Sequence, residues 1–302
     1  MTDSTRPAAP HQPRIGWRRA RKLAGMAYAA PTAIFVAVLF VIPIIVVFRM
    51  SASQWPLLSG DHGINVPDNF QSVLTSSLLG PAIVFTIEYT LIVTLLLIGI
   101  GLGLALIVQT GGRWVGFLRT TFMLPVAVGL ASASLLFLGL YSAEIGPFTG
   151  LFQALGISPL LTPLSALIST VLLVVWKFAG FYMLILLVGV QSIPSEVYEA
   201  AAIDGAGRWQ TFRRITLPLL RPSLALSLIL CITGSLLAFD QFYILTKGGP
   251  DNSTVTVVQL IYREAFQRTN LGTAAALSVI VLAVLVVLNV AQFRGLRASE
   301  PG

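Results

Sequence analysis

Charge is scarce in this chain of 302 residues: Asp, Glu, Lys and Arg together make up 10% of it, where a soluble globular domain usually carries about 25%. With 56% hydrophobic residues and a mean hydropathy of +0.85, the composition excludes an ordinary water-soluble domain and points to lipid as the solvent. Cysteine is nearly missing as well. Cys231 stands alone, so the sequence offers neither an intrachain disulfide nor a CxxC metal site, and its place inside an apolar run reads as a small buried hydrophobe. The net charge of +7 does not indicate nucleic acid, because the basic residues sit in short segments between apolar runs and form no continuous stripe. Low-complexity sequence is absent apart from the polar, proline-containing stretch before Arg18, which reads as a disordered tail.

What is present is a series of long apolar runs. A hydrocarbon core of about 30 Å needs roughly 20 apolar residues in a helix. Six segments meet that length, at about 28–48, 82–108, 121–141, 161–190, 223–245 and 273–293. They are continuously apolar and too long for the alternating strands of an outer-membrane barrel, so the fold class is all-α, a polytopic membrane protein of six transmembrane helices. The division is a basic tail over 1–22 and a transmembrane domain over 23–302.

Basic residues set the orientation. With the N-terminus in the cytoplasm, the inner segments hold Arg6, Arg14, Arg18, Arg19, Arg21, Lys22, Arg113, Arg119, Arg208, Arg213, Arg214, Arg221, Arg294 and Arg297. The outer segments hold only Arg49, Lys247, Arg263 and Arg268. The positive-inside bias therefore puts both termini in the cytoplasm and the chain in the cell membrane. The first run follows basic residues, as a secretory signal would, and Ser51 and Ser53 weakly resemble a cleavage site. It exceeds the usual apolar core of about 7 to 15 residues and ends at Arg49, so it reads as a retained helix.

Three ionisable residues fall inside the spans: Glu88, Lys177 and Asp240. A charge at a helix centre costs on the order of 2.5 to 3.5 kcal/mol on the lenient insertion scale, so each needs a protein partner or a watery cavity. Glu88 lies near a span end and either reaches the headgroups or serves a function. Lys177 follows Trp176, and Asp240 is followed by Gln241 and Tyr243. Polar groups beside aromatic rings suit a sugar, whose hydroxyls need hydrogen bonds while its C–H faces stack on rings. An ion pair between Lys177 and Asp240 explains part of the same pattern.

The segment 191–222 reads QSIPSEVYEAAAIDGAGRWQTFRRITLPLLRP. Pro194, Ser195 and Glu196 predict a helix start, with Ser195 as the cap and Glu196 at the positive end of the helix dipole. Gly205 predicts a stop, and Pro218 and Pro222 punctuate the return to the membrane. Two short helices across the mouth of the bundle follow. As a bland alternative this is a linker. Its small residues Ala200, Ala201 and Ala202, rimmed by Glu199, Asp204, Arg213 and Arg214, also suit insertion into a groove of another protein.

These residues carry a family resemblance. Glu199, Ala200 and Ala201, then Gly205 after three residues, then Ile215, Leu217 and Pro218 resemble the signature loop of permeases from binding-protein-dependent ABC importers. The stretch FDQFYILTKGGPDNST over 239–254, and 261–266 beyond it, are similar to the sugar branch of that family, the maltose-type and glycerol-phosphate-type first permeases. The resemblance implies a type I importer permease fold, a second permease subunit, a dimer of cytoplasmic ATP-binding subunits and an extracytoplasmic sugar-binding protein. It implies that Glu199, Ala200, Ala201, Asp204 and Gly205 couple the chain to the ATPase. It also implies solute contacts at Val126, Leu130, Val174, Lys177, Phe178, Gly234, Leu237, Ala238 and Gln241, to which Asp240 is joined. Several of these are apolar where a maltose site is polar. The glycine-rich 247–250 would be an external loop near the binding protein.

No G-x-x-x-x-G-K-[ST] phosphate loop occurs in the chain. Nucleotide and Mg are therefore assigned to a partner, with no cofactor, no metal and no catalytic residue expected here. The expected function is uptake of a di- or oligosaccharide by alternating access. An ion-coupled secondary transporter, with Glu88 and Asp240 carrying the ion, is the main rival. A channel lacks a repeated filter-like segment. A structural or receptor membrane protein would not need the docking loop. On the importer reading, Gln241→Ala and Lys177→Ala lower transport and leave assembly intact.

Overall fold

The computed structural model describes residues 15–109, 112, 114–142, 144 and 146–297. The first 14 residues, which hold Arg6 and Arg14 of the basic tail, and Arg113 lie outside the described residues. Every regular element among the described residues is helical, with only isolated bridges at Ser53–Ile64 and Pro56–Asn270. The chain divides into two compact units at Arg49 and Met50.

The N-terminal unit consists of α1 (Ile15–Val36), a π-helical turn (Ala37–Val41) and α2 (Ile42–Ser51), whose last two residues lie past the division. At the turn the Ile42 N–H reaches back to the carbonyl of Ala37. Pro43 comes next and has no N–H to give, so a widened turn here accommodates a missing ladder bond. Its large side chains, among them Phe35, Phe40 and Ile45, are exposed, as lipid-facing residues are.

In the second unit α3 (Asp68–Leu74) is tied to the preceding chain by Asn69, whose amide nitrogen donates to the carbonyls of Ser51 at 3.0 Å and Ser53 at 2.8 Å. Then come α4 (Leu79–Gln109), α5 (Val115–Ala127), α6 (Leu130–Leu140), α7 (Thr149–Leu155) and α8 (Pro163–Gln191). Helix α8 starts on a reciprocal cap: Thr162 and Ser165 each accept the other's backbone N–H at 3.1 Å, with Pro163 at the first helical position. It packs along α4 through a core that includes Tyr89, Val93, Leu97, Leu173, Val174 and Tyr182.

Helices α9 (Ser195–Ile203), α10 (Arg208–Thr211) and α11 (Leu217–Leu219) follow, with a π-helical turn at Phe212–Thr216. The last part comprises α12 (Arg221–Leu236), α13 (Asp240–Leu245), α14 (Val257–Tyr262), a π-helical turn (Arg263–Gln267) and α15 (Leu271–Arg297). Among the described residues five stretches are long and apolar enough to cross a membrane: Tyr28–Ser51, Leu79–Gln109, Pro163–Gln191, Arg221–Leu245 and Leu271–Gly295.

The third expected span, 121–141, is not one helix. The chain bends by 96° between α5 and α6, and a sixth crossing exists only if the bent pair is counted as one. Pro125 removes an N–H near the end of α5, and Val128 and Gly129 are extended, so the helical ladder stops there. The fifth expected span, 223–245, is likewise interrupted, between Leu236 and Asp240. Hydropathy summed along a run cannot register either break. Backbone that leaves the helix at membrane depth is tolerated only where it is buried in protein or lines a cavity. The elements that follow the two interruptions, α6 and α13, pack against each other.

Candidate functional site

A cavity of about 460 Å³ opens between α4, α6, α8 and the interrupted α12–α13 pair. Leu130, Val174, Phe178, Gly234, Leu237, Ala238, Asp240 and Gln241, all named from the sequence, line it. Phe181, Tyr182 and Phe239 add ring faces, and the single cysteine, Cys231, is buried in the same wall. The interruption at 237–239 turns the backbone so that consecutive residues, not every third or fourth, meet the cavity.

The polar groups are few and specific. Gln241 is 3% exposed; its Nε2 donates to the Tyr89 hydroxyl at 3.0 Å, while its Oε1 is buried without a hydrogen-bond partner. Tyr89 is held in turn by the ring of Phe242, edge-on at a centroid distance of 4.8 Å. Asp240 lines the cavity half-buried. The break itself is secured from outside: the hydroxyl of Thr256 donates to the carbonyl of Ala238 at 2.8 Å and also caps α14. From Phe239 a run of rings leaves the cavity, stacking on Tyr243 at 5.2 Å and continuing to Tyr262 and Phe266.

Val126 and Lys177 do not line the cavity. The ammonium of Lys177 donates to the carbonyls of Pro125 at 3.5 Å, Val126 at 3.4 Å, and Val128. These carbonyls lie at the C-terminal end of α5 and in the bend just beyond it, that of Pro125 also accepting the Val128 N–H at 3.2 Å, and a cation there complements the helix dipole. No salt bridge joins Lys177 to Asp240 among the described residues, so the ion pair weighed from the sequence does not form. Lys177 is a staple for the broken span. Close packing assists it: a Cβ on Gly180, one turn further along α8, would fall on the backbone carbonyl of Phe122 in α5. Glu88 is exposed on α4 and is not among the lining residues.

The second cluster is the segment over α9 and α10. Helix α9 begins at Ser195 itself, with Pro194 at the cap position, so Ser195 does not cap it as expected. It ends as Gly205 requires: that glycine has φ of +73°, the Gly205 N–H bonds the Ala202 carbonyl, and the Ala206 N–H bonds the Ala201 carbonyl. This paired closure satisfies two end carbonyls and needs a left-handed residue, which glycine supplies without strain. Glu199, Ala200, Asp204 and Gly205 are exposed, whereas Ala201 is 5% exposed and turned inward. The base of the segment is seated by Val190, Ile193 and Leu220 against Leu102 and Leu106 of α4. Tyr198 and Thr216 join its two arms through their hydroxyls, 3.3 Å apart.

Sequence reasoning missed three participants. Tyr89 was hidden in an apolar helix far from Gln241 in the chain. Ile203 and Trp209, 86% and 71% exposed, are large apolar groups displayed on the segment, a departure from its polar surroundings that the sequence did contain.

Residues 96–294 match the family described as binding-protein-dependent transport system inner membrane component. The chain is 34% identical over 251 residues to the multiple sugar-binding transport system permease protein MsmF of Streptococcus mutans, covering 81% of this chain and 85% of that one. It is 35% identical over 232 residues to the sn-glycerol-3-phosphate transport system permease protein UgpA of Brucella abortus, covering 75% and 78%. Among solved structures, a chain of a bacterial ABC transporter involved in import of the acidic polysaccharide alginate superposes with a TM-score of 0.82 at 23% identity, over 95% of this chain and 99% of that one. The fold is that of an ABC importer permease, and the relatives it resembles are permease proteins, transport components rather than enzymes. The chain belongs to the family of inner-membrane components of binding-protein-dependent transport systems.

Proposed function

We propose that the chain is one of two different permease subunits of an ATP-driven importer that takes up a sugar, a di- or oligosaccharide, by alternating access. The observation that carries this reading is a mechanical connection. Helix α8 brings Val174 and Phe178 to the cavity wall and ends at Gln191, next to the exposed segment. A push on that segment is transmitted by one packed helix to the wall. Glu199, Ala200, Asp204 and Gly205 form the face that enters a cytoplasmic ATPase, and Ala201 seats that face on the bundle. The paired ATPases bind nucleotide and Mg, and this chain carries no phosphate loop.

An extracytoplasmic binding protein delivers the solute, as the family description implies. The asymmetry of basic residues supports cytoplasmic N- and C-termini, which puts the segment 191–222 on the ATPase side. ATP binding closes the ATPases, the segment follows, and the cavity opens outward; hydrolysis restores the inward-open state. The polar groups and rings of the wall suit sugar hydroxyls and C–H faces.

Reconstituted vesicles carrying the complete assembly test the proposal. Uptake is expected to need lumenal ATP and to survive collapse of proton and sodium gradients. Gradient-driven uptake with no ATPase attached would transfer the chain to the ion-coupled class.

A further inference from the structure

The two arms of the segment 191–222 carry opposite charge. The first arm, 195–205, holds Glu196, Glu199 and Asp204 and no basic residue. The second, 206–221, holds Arg208, Arg213, Arg214 and Arg221 and no acidic one. All four arginines are exposed, and among the described residues their guanidinium groups have neither a salt bridge nor a hydrogen bond. The coupling face proposed above uses the first arm alone, so the positive charge of the second is uncommitted.

The second arm is also the one that runs into the membrane. Arg221 opens the apolar stretch Arg221–Leu245, and Arg213 and Arg214 precede it by eight and seven residues on a nearly continuous helical path. At about 1.5 Å per residue they stand no more than roughly 12 Å from it. Headgroups extend about 5 to 7 Å beyond the hydrocarbon, and the field of a charged surface reaches about 8 Å further in physiological salt. Arg213, Arg214 and Arg221 are therefore within reach of a leaflet surface. A hollow of about 590 Å³ lies between this arm, Tyr198 of the first arm and the C-terminal end of α4, with Gln109, Arg208, Trp209 and Phe212 in its lining. Trp209 is exposed beside Arg208, its ring 5.6 Å from that of Phe212, and Leu219 is exposed further along. Guanidinium groups take phosphate oxygens in pairs, and tryptophan belongs at the boundary of lipid and water. Exposed apolar side chains among the arginines, next to a span, favour a lipid surface over an acidic protein face.

We propose that the arm 206–221 is a docking surface for anionic phospholipids of the cytoplasmic leaflet, with a headgroup phosphodiester in the hollow beside Arg208 and Trp209 and further headgroups on Arg213, Arg214 and Arg221. Bound headgroups hold the base of the segment to the membrane surface, so that a push on the first arm moves the bundle and does not lift the segment away. ATP-driven uptake then depends on anionic lipid. This rests on the importer reading and the cytoplasmic placement of 191–222 given above, and adds the membrane surface as a second partner of that segment.

Native mass spectrometry of the complete assembly in mixed phosphatidylglycerol and phosphatidylcholine measures the lipid retained. Vesicles with and without phosphatidylglycerol, supplied with the binding protein, measure ATP-driven uptake. Phosphatidylglycerol is expected to be retained in preference on the order of tenfold, since each arginine near an anionic surface contributes about fivefold, and to raise uptake several-fold. Arg208→Gln, Arg213→Gln and Arg214→Gln together are expected to bring the retention ratio close to one and to remove the lipid dependence of uptake. Arg208→Gln alone is expected to lower the ratio about fivefold, which keeps the test open if the triple variant does not assemble. Equal retention of the two lipids by the unaltered assembly overturns the proposal. So does a ratio unmoved in the variants with uptake lost in both kinds of vesicle, which would give the arginines to the ATPase. Inorganic phosphate that restores uptake in phosphatidylcholine vesicles would make the site one for a free anion and overturn the lipid. Uptake that needs no ATP, with the retention ratio as expected, would remove the importer reading and leave the headgroup site standing.

Discussion

The segment 191–222 and the cavity wall are built on opposite plans. In the segment the groups that matter are close in sequence, exposed and fixed by local rules: a proline start, a glycine stop at φ of +73°, and a helix of nine residues between them. In the cavity they come from several helices and depend on partners far along the chain, as with Gln241 on Tyr89 and Lys177 on the carbonyls after Met123. A surface that must meet another protein can be specified by a short motif. A pathway through lipid has to satisfy every backbone group internally, and so spreads its residues across the whole bundle.

That contrast is breakable by substitution. Glu199→Lys combined with Gly205→Ala is expected to abolish ATP-driven uptake while the protein reaches the membrane in normal amount, checked by vesicle transport beside quantitative blotting. Normal uptake would mean that the exposed face is not the point of coupling. Gly180→Val does the reverse. A side chain there meets the Phe122 backbone, and overpacking of that kind costs on the order of 3 kcal/mol, read as a lower unfolding midpoint in detergent.

Lys177→Met sharpens the distinction between staple and binding group. It leaves the carbonyls at the α5–α6 bend without their donor, at a cost of about 2 kcal/mol, so stability and transport fall together. This departs from the expectation that Lys177→Ala spares assembly; loss of transport with an unchanged unfolding midpoint would restore the solute-binding role. Tyr89→Phe is the mildest. It deletes one acceptor for Gln241 and is expected to cost about 1 kcal/mol and to change sugar binding a few-fold, measured by titration of the purified assembly.

Much of the molecule was readable before any coordinates. Long apolar runs identify spans because the bilayer sets their length, and Gly205 announces a helix end because few residues accept a positive φ. Span three reads from hydropathy as one continuous helix, yet it is bent by 96° at a break that Pro125 and Gly129 flank, because hydropathy counts apolar character and is blind to a missing N–H. Ala201 was grouped with Ala200 as docking surface, yet on a helix adjacent residues point about 100° apart, and one of them faces the bundle.

The amino-acid sequence by itself determined that this is a helical membrane protein, where five of its spans fall to within a few residues, and that 191–222 holds short helices with a glycine stop. These follow from local sums of hydropathy and from backbone preferences of single residues. Only the tertiary structure decided that Lys177 serves the bend of a broken helix, that Asp240 lacks a cationic partner, and that eight dispersed residues meet around one cavity. The reason is that a buried polar group takes its role from whichever atoms packing brings within hydrogen-bond reach, and those atoms belong to other helices.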